Sequence, residues 1–455
     1  MTAGPFTRRS GDLRQRLAAR PSLLVAAGFA VAIAIGTGLL LLPGATADGR
    51  TGFVPALFTA TSAVCVTGLV VVDTGTHWTL FGQLVVLGLI QAGGLGIMTL
   101  ASLLGRLVFR RFSLRMRLTA QAETKSGALG GVRGLVGRIV ALSVLSELVV
   151  TAVLWPRLTL GYGIPWGRAG YVAAFHAVSA FNNAGFSLYP DSLLRFSGDP
   201  LVCLPLAAAF ITGGIGYPVL IELRRRFRNP RRLSVHTRIT LGMTGVLIAA
   251  ATVIITAAEW TNPGTLGPMS PPHKLLAGFF QAVTPRTAGF NSVDVGSMHP
   301  GTWLFLDVLM FLGGGSAGTA GGIKVTTFAL LGFVILAEVR AEPTVHVLDR
   351  QLPHGVQRQA LTVVLLGVGS VMAVTGVLLA LTPFSLDRVL FEVISAFATV
   401  GLSTGITAAL PPSAWVLLAA LMFLGRLGPV TLASALALRI RTRRYELPEE
   451  RPIVG

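Results

Sequence analysis

The chain has 455 residues, 52% of them hydrophobic and only 12% charged, with a mean hydropathy of +0.71 and a net charge of +18. A soluble domain carries roughly 25% charged residues, so the composition excludes a soluble globular protein and points to an all-α integral membrane chain. The positive charge would suggest nucleic acid in a soluble protein, but its placement excludes that partner here. Arginines cluster before the first apolar run (Arg8, Arg9, Arg14, Arg16, Arg20) and within residues 106–117, 224–232 and 439–444, whereas the intervening loops hold few, such as Arg50, Arg157 and Arg168. That alternation is the positive-inside pattern, which puts both termini and the basic loops in the cytoplasm and the basic residues against membrane lipid.

In chain order, a basic N-terminus (1–21) precedes the first apolar run. Runs at 22–42, 77–105, 200–221, 239–258 and 359–386 contain no Asp, Glu, Lys or Arg. Each is close to or above the ~20 residues a membrane helix needs. A secretory leader would account only for the first. We read four units, at 22–108, 134–226, 237–339 and 359–442, followed by a tail at 443–455. Each unit is a first helix, a short re-entrant segment and a second helix. Two long helices per unit keep its ends cytoplasmic, so the short segment sits on the outer side. Turn formers and interfacial residues flank these segments: Pro43 and Trp78; Pro165, Trp166 and Tyr189; Pro271, Pro272 and Trp303; Pro383 and Trp415. Tryptophan and tyrosine favour the membrane–water interface. The N-terminus and tail are rich in Arg, Glu and Pro and read as poorly ordered. The cytoplasmic stretches near 106–138 and 338–358 hold only a few helical turns. Cys65 and Cys203 lie in apolar segments and read as buried thiols, not as a metal cluster.

The four re-entrant segments resemble one another. They read FTATSAVCVTGL (58–69), FHAVSAFNNAGF (175–186), FFQAVTPRTAGF (279–290) and FEVISAFATVGL (391–402), each with a phenylalanine ten residues before a glycine. The residues before the glycine suffice for about three helical turns, after which the chain must turn outward. A helix ending at mid-membrane directs its partial negative end inward, which favours a cation. Extended backbone at that depth is allowed only where its carbonyls line a cavity and replace an ion's water shell. The flanking pairs Val66–Thr67, Asn183–Ala184, Thr287–Ala288 and Thr399–Val400 are uncharged, which suits a monovalent cation better than a divalent one. The competing reading is that Gly68, Gly185, Gly289 and Gly401 serve only close helix packing. Four matched segments between paired spans favour a pseudo-fourfold pore built within one chain.

Two further features fall inside spans. Gly313, Gly314, Gly315, Gly318, Gly321 and Gly322 crowd ten residues of the second helix of unit three, together with Ser316 and Thr319. At ~1 kcal/mol each relative to alanine they cannot hold a stable helix. A phosphate-binding loop would need Gly-Lys-Ser/Thr, whereas Lys324 stands between Ile323 and Val325. A simple helix kink is the other alternative. Arg426 lies within the last span. Its functional reading is a positive charge that limits or gates cation flow, and its structural alternative is a salt bridge with Glu147. Asp307 and Glu392 are placed near outer helix starts, where they complement dipoles or fix the re-entrant helix, with ion binding as the alternative.

The segments ending Val66-Thr67-Gly68-Leu69, Asn183-Ala184-Gly185-Phe186, Thr287-Ala288-Gly289-Phe290 and Thr399-Val400-Gly401-Leu402 resemble the filters of the Trk/Ktr/HKT superfamily of potassium transporters. So do the stretch from Gly313 to Val325 and Gly425-Arg426-Leu427-Gly428-Pro429. The resemblance covers about residues 20–442, and without an extra pair of N-terminal spans the chain is most similar to the Ktr membrane subunit. Val66 departs from the Thr or Asn of the other three segments, which bears on sodium against potassium preference. The resemblance implies potassium uptake driven by the membrane potential, with possible sodium coupling, through K+ held on filter carbonyls and no covalent cofactor. It implies an intramembrane gate loop at 313–327 that includes Lys324, with Arg426 beside it. It implies a homodimer on a cytoplasmic ring of nucleotide-binding regulatory subunits, in the plasma membrane. A secondary transporter of another small solute, with inverted repeats and a midplane site, is the rival class; four repeats of one orientation disfavour it. The spans hold no HExxH and no paired His/Asp motif of an enzyme.

Overall fold

A computed structural model describes residues 21–111, 132–226, 228–229, 232–348 and 350–428. The basic N-terminus, most of the 106–138 loop, Pro429, Arg439–Arg444 and the tail lie outside the described residues. The chain runs α1 (Pro21–Leu40), α2 (Phe53–Val64), α3 (Leu80–Arg111), α4 (Val132–Tyr162), α5 (Trp166–Phe181), α6 (Pro200–Ile215), α7 (Tyr217–Arg226) and α8 (Val235–Glu259). It continues with α9 (Pro271–Val283), α10 (Pro300–Phe311), α11 (Val325–Val339), α12 (His354–Leu381), α13 (Leu386–Ala398) and α14 (Pro412–Leu427). Proline opens α6, α9, α10 and α14, where a missing N–H costs nothing. Asp199 accepts from the Leu201 N–H at 3.0 Å, and Ser234 accepts from the Thr237 N–H at 3.3 Å, capping α6 and α8.

Helices α3, α4, α8 and α12 contain stretches long and apolar enough to cross a membrane. Their outer faces, with that of α1, carry exposed apolar side chains: Ile35, Leu148, Val253, Leu365 and Met372 among them. In water such a shell would be a liability; against lipid it is the natural surface of a multi-pass membrane protein. Helices α2, α5, α9 and α13 are different. They have 12, 16, 13 and 13 residues. At ~1.5 Å per residue they reach roughly 18–24 Å, short of the ~30 Å hydrocarbon core. They lie inside the shell, with Phe58, Phe175, Phe280 and Phe391 fully buried.

Several expectations need correction. The second helix expected at 200–221 breaks at Gly216, where α6 and α7 meet at 100°. Pro218 has no N–H to return to Gly214, and Gly216 takes φ +100°. The freed carbonyls are used by the glycine run: Gly315 N–H donates to Gly214 O (2.8 Å) and Thr319 N–H to Gly213 O (3.0 Å). The non-helical run also ends earlier than the expected 313–327. Val325 opens α11, its N–H donating to Gly314 O at 3.0 Å. Trp78 and Trp303 are buried within the protein; the Trp303 indole donates to Val295 O at 2.7 Å and pins the loop before α10. The 338–358 linker carries a hairpin, β1 (His346–Val347) and β2 (Arg350–Gln351), antiparallel with His346 opposite Gln351. Val347 buries its side chain in a cluster with Ile239 of α8 and Ala329 of α11. Cys65 and Cys203 are buried free thiols.

Three close approaches fix the inner ends of the short helices. A Cβ on Gly93 would lie 2.0 Å from Val64 O, one on Gly213 2.0 Å from Phe181 O, and one on Gly425 1.6 Å from Phe397 O. Alanine at Gly425 should therefore force α14 off α13 at a cost of about 1–3 kcal/mol. Alanine at Gly376, which has nothing within 4 Å, should be tolerated. Thermal melting of the two purified variants in one detergent checks this; equal melting temperatures would contradict the packing described.

Candidate functional site

The inner ends of α2, α5, α9 and α13 meet at the centre of the molecule, and each passes into the same kind of turn. Val66, Asn183, Thr287 and Thr399 take φ of 56°, 60°, 68° and 52°, and Gly68, Gly185, Gly289 and Gly401 take 94°, 69°, 75° and 95°. A left-handed non-glycine residue costs ~1–3 kcal/mol and persists only where its surroundings over-determine it. Here backbone bonds do so: Thr67 N–H donates to Ser62 O (2.8 Å), Ala184 N–H to Ser179 O (2.8 Å) and Val400 N–H to Ser395 O (2.9 Å). The third turn is one residue shorter. Pro285 lacks an N–H, and Ala288 N–H donates to Thr284 O at 2.9 Å. Phe280, not the expected Phe279, therefore takes the buried position of that segment.

The four glycines face one another. A Cβ on Gly68 would lie 2.4 Å from Ala184 O, and one on Gly185 2.8 Å from the Gly289 Cα. One on Gly289 would lie 2.3 Å from Val400 O, and one on Gly401 2.2 Å from Thr67 O, which closes the ring in chain order. Any side chain here must displace a neighbouring strand. Outward of the ring opens a cavity of about 300 Å³, lined by all four glycines and by Asp73 and Asp294, with no Lys or Arg in its wall among the described residues.

Hydroxyls missed in the sequence hold the strands that leave the ring. Ser62 and Ser395 Oγ accept from the Gly68 and Gly401 N–H groups, each at 3.1 Å. Ser179 Oγ donates to Phe186 O at 2.8 Å, and Thr284 Oγ1 donates to Phe290 O at 2.5 Å. The signal was present: three of the four segments carry serine four residues after the phenylalanine, and Thr284 stands in the same relation to Phe280. Glu392 is not at a helix start but inside α13, buried. It accepts from Ser403 Oγ and from Thr407 Oγ1 (3.0 Å), clamping the outgoing strand. Asp307, likewise expected near a helix start, is buried along α10, and its Oδ1 has no hydrogen-bond partner among the described residues. Arg286, also missed, is buried behind the third turn; its guanidinium donates to Thr244 O (3.3 Å) and Thr244 Oγ1 (3.1 Å).

Inward of the ring lies the glycine run. Thr319 Oγ1 donates to Asn183 Oδ1 at 3.0 Å, and a Cβ on Gly321 would lie 1.9 Å from Thr399 Oγ1. Arg426 donates to Thr319 O (2.5 Å) and Gly93 O (3.3 Å), and Lys324 Nζ donates to Ala320 O (2.5 Å). Ser316 and Thr326 hydroxyls lie 3.1 Å apart. The alternative of an Arg426–Glu147 bridge is overturned: Glu147 is bonded to Ser143, Gln91 and Asn182. The structure thus brings the run and Arg426 together directly beneath the four turns.

The model of the TrkH family, described as cation transport proteins, matches residues 2–443. The chain belongs to this family. Ktr system potassium uptake protein B of Bacillus subtilis is 43% identical over 424 residues, covering 92% of this chain and 93% of that protein. Potassium/sodium uptake protein NtpJ of Enterococcus hirae is 32% identical over 451 residues, covering 97% and 98%. Among solved structures, the potassium transporter TrkH from Vibrio parahaemolyticus superposes with a TM-score of 0.72 at 18% identity, covering 92% of this chain and 84% of that one. That likeness shows the fold. A TrkH-family chain with this interior is a membrane transport protein whose centre is made of backbone.

The hydroxyl clips give a stability test. Replacing Ser62 and Ser395 together by alanine removes an acceptor from two buried N–H groups, which should cost about 1–3 kcal/mol each. The double variant should melt measurably lower than the parent, and a melting temperature equal to the parent's would show that the clips hold nothing.

Proposed function

We propose that the four turns form one selectivity filter around a pseudo-fourfold axis and that the chain takes up potassium through it. In this reading Val66, Thr67, Gly68, Asn183, Ala184, Gly185, Thr287, Ala288, Gly289, Thr399, Val400 and Gly401 present their carbonyls to K+. The observation that carries it is the closed ring of four glycines, each too close to its neighbour's backbone for a Cβ. Four helix ends add partial negative charge without a carboxylate in the ring, and Asp73 and Asp294 raise the cation concentration in the outer cavity. The names of the two relatives support potassium, with sodium as a second cation in one.

The membrane potential supplies the driving force, and sodium coupling is an outcome the experiment decides. The run from Gly313 through Lys324 is read as the gate, supported by Arg426 and Lys324 donating to its adjacent carbonyls at Thr319 and Ala320. Charge placement supports cytoplasmic termini and the plasma membrane. A homodimer resting on a cytoplasmic ring of nucleotide-binding subunits is the expected assembly, since the described residues outside the helices amount to little more than loops and one hairpin.

Uptake of K+, Rb+ and Na+ by proteoliposomes tests the filter. Serine at Gly68, Gly185, Gly289 or Gly401 should lower K+ over Na+ preference about tenfold, or ~1.4 kcal/mol. Unchanged preference in all four variants would sink the filter. Trimming the glycine run should raise flux in variants that fold and insert, and flux no higher than the parent's would contradict the gate. Co-purification with a nucleotide-binding subunit, followed by flux with ATP or ADP, tests the partner: no binding and no nucleotide effect would remove it.

A further inference from the structure

Among the buried carboxylates that the reading so far leaves unused, Glu147 is the one tied to the turns. Glu147 is the acid of α4 and sits near its midpoint. No Lys or Arg pairs with it among the described residues. Its Oε1 accepts from Ser143 Oγ (2.6 Å), Gln91 Nε2 (3.0 Å) and Asn182 Nδ2 (3.4 Å). Asn182 Nδ2 also donates to Gln91 Oε1 at 2.7 Å. Three elements, α3, α4 and the end of α5, thus converge on one oxygen. The slot for Asn182 exists only because residue 94 is glycine: a Cβ there would lie 1.9 Å from Asn182 Oδ1.

Asn182 is bonded directly to the filter. The next residue, Asn183, donates from Nδ2 to Thr287 Oγ1 (3.4 Å) and Arg286 O (3.5 Å), and accepts from Thr319 Oγ1 (3.0 Å). Carboxylate, second turn, third turn and glycine run therefore form one connected set. The position three before the ring glycine is Cys65, Asn182, Arg286 and Ala398 in the four segments. One of these brings a buried positive charge, at Arg286, with no acidic partner among the described residues. The adjacent one brings a carboxylate, at second hand. A positive charge behind a cation filter opposes ion entry, and in a low-dielectric interior that opposition is large. A negative charge behind the neighbouring turn offsets it.

We propose that Glu147 is a positioning residue of the ion filter: through Asn182 it fixes the second turn, and its charge favours a cation in the ring beside Arg286. This rests on the filter reading above. The test is uptake by proteoliposomes of the full chain, measured as KM and Vmax for K+ and as the K+/Na+ ratio. Glu147→Gln keeps shape and acceptor but removes the charge. It should raise the KM for K+ on the order of five- to tenfold, with Vmax little changed. Gly94→Ala leaves the carboxylate but pushes Asn182 from its slot, and should shift KM and the ion ratio in the same direction. A merely structural Glu147 would lower protein yield or melting temperature and leave KM and ratio at parental values in whatever inserts. If Glu147→Gln does not insert, Ser143→Ala and Gly94→Ala decide, and parental KM and ratio in both overturn the proposal. Gly185→Ser run alongside separates the two claims. If it changes the ratio and the Glu147 and Gly94 variants do not, the proposal fails and the filter stands. If it changes nothing either, the filter reading itself has failed.

Discussion

The interior of this molecule is organised by close approach of bare backbone. Four glycines meet in a ring, three more receive the carbonyl ends of short helices, and six interrupt a helix directly beneath. Every one of these contacts but that of Gly322, which takes φ +62°, is closer than a Cβ would permit. An ordinary membrane helix hides its peptide groups behind side chains; here peptide groups are brought to the centre and side chains are kept out. That is the one arrangement in which non-helical backbone is tolerable at membrane depth, because it faces protein or a cavity and not lipid.

Bare backbone brings an accounting requirement, since every freed N–H and C=O needs a partner. The α6–α7 break and the glycine run solve this jointly. The carbonyls of Gly213 and Gly214, which the break leaves without helical partners, accept from Thr319 and Gly315. Neither element can straighten while the other stays put, so movement of the run must also uncap α6. Serine and threonine hydroxyls solve the same problem at the turns, and Glu392 holds the strand beyond Gly401 through the Ser403 and Thr407 hydroxyls. The long helices contribute differently, by burying these assemblies inside a lipid-facing shell.

Much of this was legible in the sequence because it depends on glycine and on hydropathy. Apolar runs located the long helices, and the recurrence of a phenylalanine before a glycine located the four turns. What the sequence did not reveal depends on partners distant in the chain. The break at Gly216 was hidden in an unbroken apolar run, because the strand that takes over the carbonyls freed by Pro218 and Gly216 comes from about one hundred residues later. The place of Phe280 was hidden because a one-residue change in turn length, at Pro285, is invisible in an ungapped alignment. Arg286 and Glu147 each looked like isolated charges; only the fold shows them behind adjacent turns. The Arg426–Glu147 pairing looked reasonable by charge alone and failed because Arg426 is held by carbonyls of Thr319 and Gly93.

The central claim is that a dehydrated monovalent cation sits within the ring of Gly68, Gly185, Gly289 and Gly401. Anomalous diffraction from crystals grown in Rb+ measures this directly. The account predicts an anomalous peak inside the ring, within coordinating distance of carbonyl oxygens from all four turns and lost on exchange into Li+. Rb+ bound elsewhere in protein that still transports, with no peak at the ring, would contradict it.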